Sequence, residues 1–93
     1  MANRGRRVGV DLEREEPRDP SLDDVDFWLA IYRELILFTE EMLARTRERM
    51  VHLPGPAQRH LERTNVDIME EELSAFRERT TVLNRRRDQL IGT

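Results

Sequence analysis

One run of side chains constrains this sequence more than any other. Val25, Leu29, Tyr32, Ile36, Thr39, Leu43, Thr46, Met50 and Leu53 follow one another at alternating steps of four and three. That spacing places all nine on one side of a helix, in the manner of a coiled-coil seam. Two further stripes lie on the same segment. Trp28, Leu35 and Met42 are seven apart, and Phe27, Ile31 and Phe38 flank them. The first helix is therefore predicted over about residues 22–52. Asp19-Pro20-Ser21 signals its start: Ser21 can cap the first turn, and Asp23 and Asp24 suit the positive end of the helix dipole.

Leu53-Pro54-Gly55-Pro56 breaks the helix, because neither proline can continue one and each pushes its predecessor toward extended geometry. A turn over 53–56 is too short for anything but an antiparallel return. The second helix is predicted over about 57–91, with Gly92 as its stop signal. Its seam is Val66, Met69, Leu73, Phe76, Thr80, Leu83, Arg87 and Leu90, with Leu61, Ile68, Ala75 and Val82 as a second stripe. The predicted fold is all-α: an antiparallel two-helix hairpin over 21–93. Each helix carries more apolar surface than its neighbour can cover, so the hairpin is expected to complete a four-helix bundle by dimerising or by packing on a partner. Val25, Trp28, Leu29, Tyr32, Leu35, Ile36 and Phe38 are the predicted interface core. Thr39, Thr46, Thr80 and Arg87 interrupt the seams and are read as register-setting positions.

The totals agree with thin-faced helices. Of 93 residues, 38% are hydrophobic and 38% charged, so there is material for one small domain without a thick core. There is no Cys, which excludes a disulfide framework and zinc–thiolate sites. Arg33 and Glu34 interrupt the most apolar stretch, so no membrane span is expected. Arg4, Arg6 and Arg7 precede no apolar h-region, which argues against a secretory signal and for a cytoplasmic protein. Residues 1–20 read as a disordered or partner-ordered tail, basic in its first half and acidic in its second. Within it, Val8, Val10 and Leu12 alternate with Gly9 and Asp11, the pattern of a short strand or an extended docking peptide.

Three charged or titratable groupings bear on chemistry. Arg85, Arg86 and Arg87 are a basic cluster, but the hairpin brings them beside Asp23, Asp24 and Asp26. A net charge of −3 and the lack of interleaved aromatics also argue against nucleic acid. Glu70, Glu71 and Glu72 come near Glu40 and Glu41, a mid-hairpin carboxylate group. Without Glu-x-x-His it does not match the di-metal bundle pattern. His52 and His60 flank the turn, where a pH-sensitive pair would be possible. No catalytic residue, metal site or cofactor is expected: there is no phosphate loop, no triad with usable context and no metal-ligand spacing.

Glu70, Ser74 and Arg77 stand at steps of four and three on the second helix. Here the chain resembles the cyclic-di-GMP-dependent anti-sigma factors of actinobacteria, antiparallel helical hairpins whose dinucleotide is held by Glu, Ser, Arg, Gln and Asp at steps of four, three, four and four. The first three places match; Thr81 stands where Gln is expected and Arg85 where Asp is expected. The resemblance covers the second helix only. The primary expectation is a non-enzymatic interaction module or adaptor acting through protein–protein contacts of the first helix, with a protein partner or second copy as its counterpart. The resemblance implies the alternative, a transcriptional regulator of anti-sigma type that responds to a nucleotide.

Overall fold

The computed structural model describes residues 8–92, which are all-helical apart from connecting turns. Residues 1–7, with Arg4, Arg6 and Arg7 of the expected tail, lie outside the described residues. Helix α1 is Val8–Glu15, α2 is Leu22–Met50, α3 is Gly55–Leu61 and α4 is Asp67–Gly92. A single π-helical turn, Glu62–Val66, joins α3 to α4. No described helix is long and apolar enough to cross a membrane.

Helix α2 begins on a reciprocal cap. The Ser21 hydroxyl accepts from the Asp24 backbone N–H (3.2 Å), and the Ser21 N–H donates to the Asp24 carboxylate (3.0 Å). From there α2 runs 29 residues without Gly or Pro, about 43 Å at 1.5 Å per residue. It ends at Met50, two residues short of the predicted end. Helix α3 starts at Gly55 with Pro56 in its first turn, and the Gln58 side chain donates to the Leu53 carbonyl (2.8 Å) across the bend.

The long helix α4 packs along α2, and the apolar seam positions of the two helices turn inward, whereas Arg87 reaches the surface to pair with Asp26. Val25, Leu29, Tyr32, Phe76 and Leu83 form one buried cluster; Leu43, Met50, Val66 and Leu73 form a second. Ile36 touches both clusters, and Thr39 is buried on the α2 seam between Ile36 and Leu43. The π turn accounts for a detail that periodicity misses. One extra residue between α3 and α4 rotates α3 by about 100° relative to α4. Leu61, predicted to share the outer stripe of Ile68, therefore packs against the second core cluster, while Ile68 is left 51% exposed.

The alternation of Val8, Val10 and Leu12 does not make a strand. Residues 8–15 are helical, and Pro17 and Pro20 separate this helix from α2. What holds the segment is a buried polar contact as much as an apolar one. Leu12 packs against the first cluster. The Glu16 side chain, only 7% exposed, accepts from the Tyr32 hydroxyl (2.5 Å) and from Arg79 Nη2 (2.7 Å). Glu13 adds a longer contact to Arg79 (3.5 Å), and Asp19 pairs with Arg86 (2.8 Å). A carboxylate this enclosed needs both partners, since an unpaired buried charge would be expelled. Burial, reinforced by the hydrogen bond to Glu16 and the nearness of its charge, pushes the Tyr32 phenol well above its usual range. Burial works against the Arg79 charge, but Glu16 and Glu13 outweigh it and the net shift is upward.

The core and its enclosed phenol can each be tested. Phe76 is 2% exposed in the first cluster, so Phe76→Ala should lower unfolding free energy by about 3–5 kcal/mol in urea denaturation. Tyr32 is the one tyrosine, so tyrosinate absorbance reports it alone. The folded chain holds the phenol proton more tightly than the unfolded chain, so this contribution to stability is complete below about pH 10 and is lost as pH rises above it. At about pH 11 the folded protein should show almost no tyrosinate, and the urea-unfolded protein should show most of it.

Candidate functional site

On a helix, residues two apart point about 200° away from each other. Arg77 and Arg79 therefore leave α4 on opposite sides, and so the helix pair has two different faces. Arg79 faces α1. Arg77 faces a groove of about 540 Å³ lined by Glu40, Leu43, Ala44 and Arg47 of α2 and by Glu70, Leu73, Ser74 and Arg77 of α4.

The lining residues repeat. Glu40-Glu41-Met42-Leu43-Ala44-Arg45-Thr46-Arg47 and Glu70-Glu71-Glu72-Leu73-Ser74-Ala75-Phe76-Arg77 share the pattern Glu-Glu-x-Leu-(Ala/Ser)-x-x-Arg. Because α2 and α4 meet in opposite directions here, the two octets face each other across a local two-fold axis. Arg77 Nη2 donates to Glu40 (2.5 Å), and Arg47 Nη2 donates to Glu70. The same register sets Leu43 opposite Ser74 and Ala44 opposite Leu73. Leu43 and Leu73 are buried beneath the groove, whereas Ala44 and Ser74 are exposed and small, which leaves the space between the two ion pairs open.

Each of these four charged side chains is between 42% and 57% exposed. Ion pairs so open to solvent are worth about 0–1 kcal/mol. The groove therefore holds two guanidinium forks and two carboxylates in place while leaving them free to change partners. An Arg fork matches two oxygens of a phosphate, and a carboxylate matches two neighbouring N–H donors. The polar groups of the described lining are these two guanidinium–carboxylate pairs and the Ser74 hydroxyl.

The sequence-predicted groupings fall into place unevenly. Of the basic cluster, Arg87 pairs with Asp26 (2.6 Å) and Arg86 with Asp19; Asp24 is taken up by the α2 cap, and Arg85 is exposed. The mid-hairpin carboxylate group is divided by arginines: Glu40 and Glu70 each face a guanidinium. Among the described residues no three His, Cys, Asp or Glu gather as a metal site. His52 and His60 are both exposed beside the turn. Of the predicted interface, Val25, Leu29 and Tyr32 are buried between the chain's own helices, Trp28, Leu35 and Ile36 pack partly against that core, and Phe38 is 60% exposed. Sequence reasoning singled out Glu70, Ser74 and Arg77, and placed Glu40 near Glu70, but missed Ala44 and Arg47. The signal was present: the same octet stands thirty positions earlier, visible once the chain is compared with itself.

No protein-family model, curated protein or solved structure matches this chain.

A double-mutant cycle over Glu40→Ala and Arg77→Ala should give a coupling of no more than about 1 kcal/mol in urea denaturation, shrinking further in high salt. A larger coupling would mean the pair is part of the structural core and not available to a ligand.

Proposed function

We propose that the chain is a non-enzymatic helical interaction module of the anti-sigma regulatory type, an antiparallel hairpin whose Glu/Arg groove takes a cyclic dinucleotide. The hairpin completes its bundle by packing α2 on a protein partner. The observation that carries this reading is the paired octet. A two-fold arrangement of two Arg and two Glu suits a ligand that itself has two phosphates and two N–H-bearing base edges about a two-fold axis. Each guanidinium would take phosphate oxygens, each carboxylate a base edge, and the ion pairs that now occupy these groups are weak enough to be exchanged.

Three places of the anti-sigma pattern, Glu70, Ser74 and Arg77, line this groove, and Glu40, Ala44 and Arg47 face them from α2. The departures at Thr81 and Arg85 fall outside the lining, and Thr81 donates to the carbonyl of Arg77 within its own helix (3.2 Å). The adaptor side of the reading rests on α2. Phe27, Leu37 and Phe38 are each more than half exposed, which is apolar surface suited to a protein contact.

The test is a thermal-shift panel of cyclic dinucleotides on the full chain. A ligand at about 100 times its Kd adds about 2.7 kcal/mol, which for a domain of this size raises Tm by on the order of 10–20 °C. Arg47→Ala and Arg77→Ala should each abolish the rise. A panel without any shift overturns the nucleotide reading. A pull-down from native lysate should bring out a sigma factor or polymerase subunit; recovery of unrelated partners only would leave the adaptor reading in place of the regulatory one.

A further inference from the structure

Trp28, Ile31, Leu35, Phe38 and Met42 advance along α2 by steps of three, four, three and four. They make a second seam, turned about 90° from the one that packs on α4 and about 21 Å long. It runs along the side opposite the Glu/Arg groove. Phe38 is 60% exposed and Met42 37%, and Ile68 and Val82 of α4 are exposed along the same side. Scattered apolar residues on a surface are ordinary, but five at alternating steps of three and four match the side chains of another helix.

The flanks say which kind of helix. Glu34, Glu41 and Glu48, seven apart and all exposed, run down the outer edge of the strip. A second copy laid along the strip antiparallel would set Glu34 and Glu41 against their own counterparts, and like charges so placed oppose association. One end of this side is already filled by a helix, and its charges follow the same logic. Where α4 offers Arg79 and Arg86, the chain supplies Glu13, Glu16 and Asp19, with Leu12 as the apolar contact. Along the strip itself the outer edge carries Glu34 and Glu41; past Met42, Arg45 and Arg49 continue the strip's line and mark where the apolar surface ends.

We infer that the Trp28–Met42 strip is the seat of one amphipathic helix of a partner protein, apolar along a heptad stripe and flanked by Lys or Arg. The inference rests on the reading of the chain as an interaction module and names the chemistry of its partner. The face used is the one away from the nucleotide groove.

Two synthetic helical peptides of about three heptads test it, sharing one Leu/Ile stripe but flanked by Lys in one and by Glu in the other. Binding to the full chain is read from the fluorescence of Trp28, its one tryptophan. The Lys-flanked peptide should bind about tenfold tighter or more than the Glu-flanked one. Phe38→Glu should weaken it by about tenfold or more, although the added negative charge alone would strengthen a merely electrostatic attraction. Phe38 is exposed, and unchanged circular dichroism will confirm that the variant folds. Equal binding of both peptides, or undiminished binding to Phe38→Glu, overturns the proposal. So does sedimentation showing a dimer that Phe38→Glu converts to monomer, which would assign the strip to a second copy. The dinucleotide thermal shift is measured on the same variant. A kept shift in a parent chain that binds neither peptide sinks the strip alone; peptide binding without any shift in the parent chain sinks the groove alone.

Discussion

Everything in this chain depends on one apolar contact, the seam between α2 and α4. Val25, Leu29, Tyr32, Leu43 and Met50 from one helix meet Val66, Leu73, Phe76 and Leu83 from the other side of the bend, and these nine are the buried apolar residues of the described chain. The helices are otherwise highly charged, so neither would hold its shape through a deep interior. Burial along a single line fixes their rotation, and rotation decides what each remaining side chain faces. The buried Thr39 lies on this line, with Ile36 linking the two apolar clusters on either side of it.

Once the rotation is set, the two faces diverge. One carries Glu and Arg from both helices in crossed pairs around small Ala44 and Ser74. The other carries aromatic and aliphatic side chains, partly covered by α1. The division is a direct consequence of helical geometry acting on a sequence in which Arg77 and Arg79, two residues apart, serve different neighbours. A ligand held by the polar face and a protein held by the apolar face would not compete for surface, because the α2–α4 pair stands between them. A molecule held on one face could influence the other only through the packing of that pair.

The α1 segment shows how much a single enclosed carboxylate can organise. Glu16 sits where the Tyr32 hydroxyl and the Arg79 guanidinium converge, and Leu12, one turn earlier, reaches the core from the same side. A short helix of eight residues has little stability of its own. It persists because these contacts lie on long helices already locked by the seam. The upward shift of Tyr32 records its burial, and that of Arg79 is won against burial by Glu16 and Glu13.

The seams and the all-helical class were legible in the spacing of apolar residues, because a periodicity near three and a half has one structural meaning over such lengths. The break beside Pro54 was legible too, but it falls over residues 51–54, with Gly55 and Pro56 already in α3. The start of α2 at Ser21 was legible for the same local reason, since capping involves only neighbours in sequence. The helical state of residues 8–15 was not: its apolar alternation suggests a strand, and the partners that stabilise it, Tyr32 and Arg79, lie sixteen and sixty-three residues from Glu16. Nor was the π turn, whose one added residue moves Leu61 into the core and leaves Ile68 outside. The groove lies between these cases. Both octets are plain in the sequence, but only antiparallel packing in one register sets Glu40 against Arg77 and Glu70 against Arg47. Sequence alone settled which faces are apolar, because that comes from local periodicity; tertiary structure decided which charges meet, because that depends on register between segments far apart in the chain.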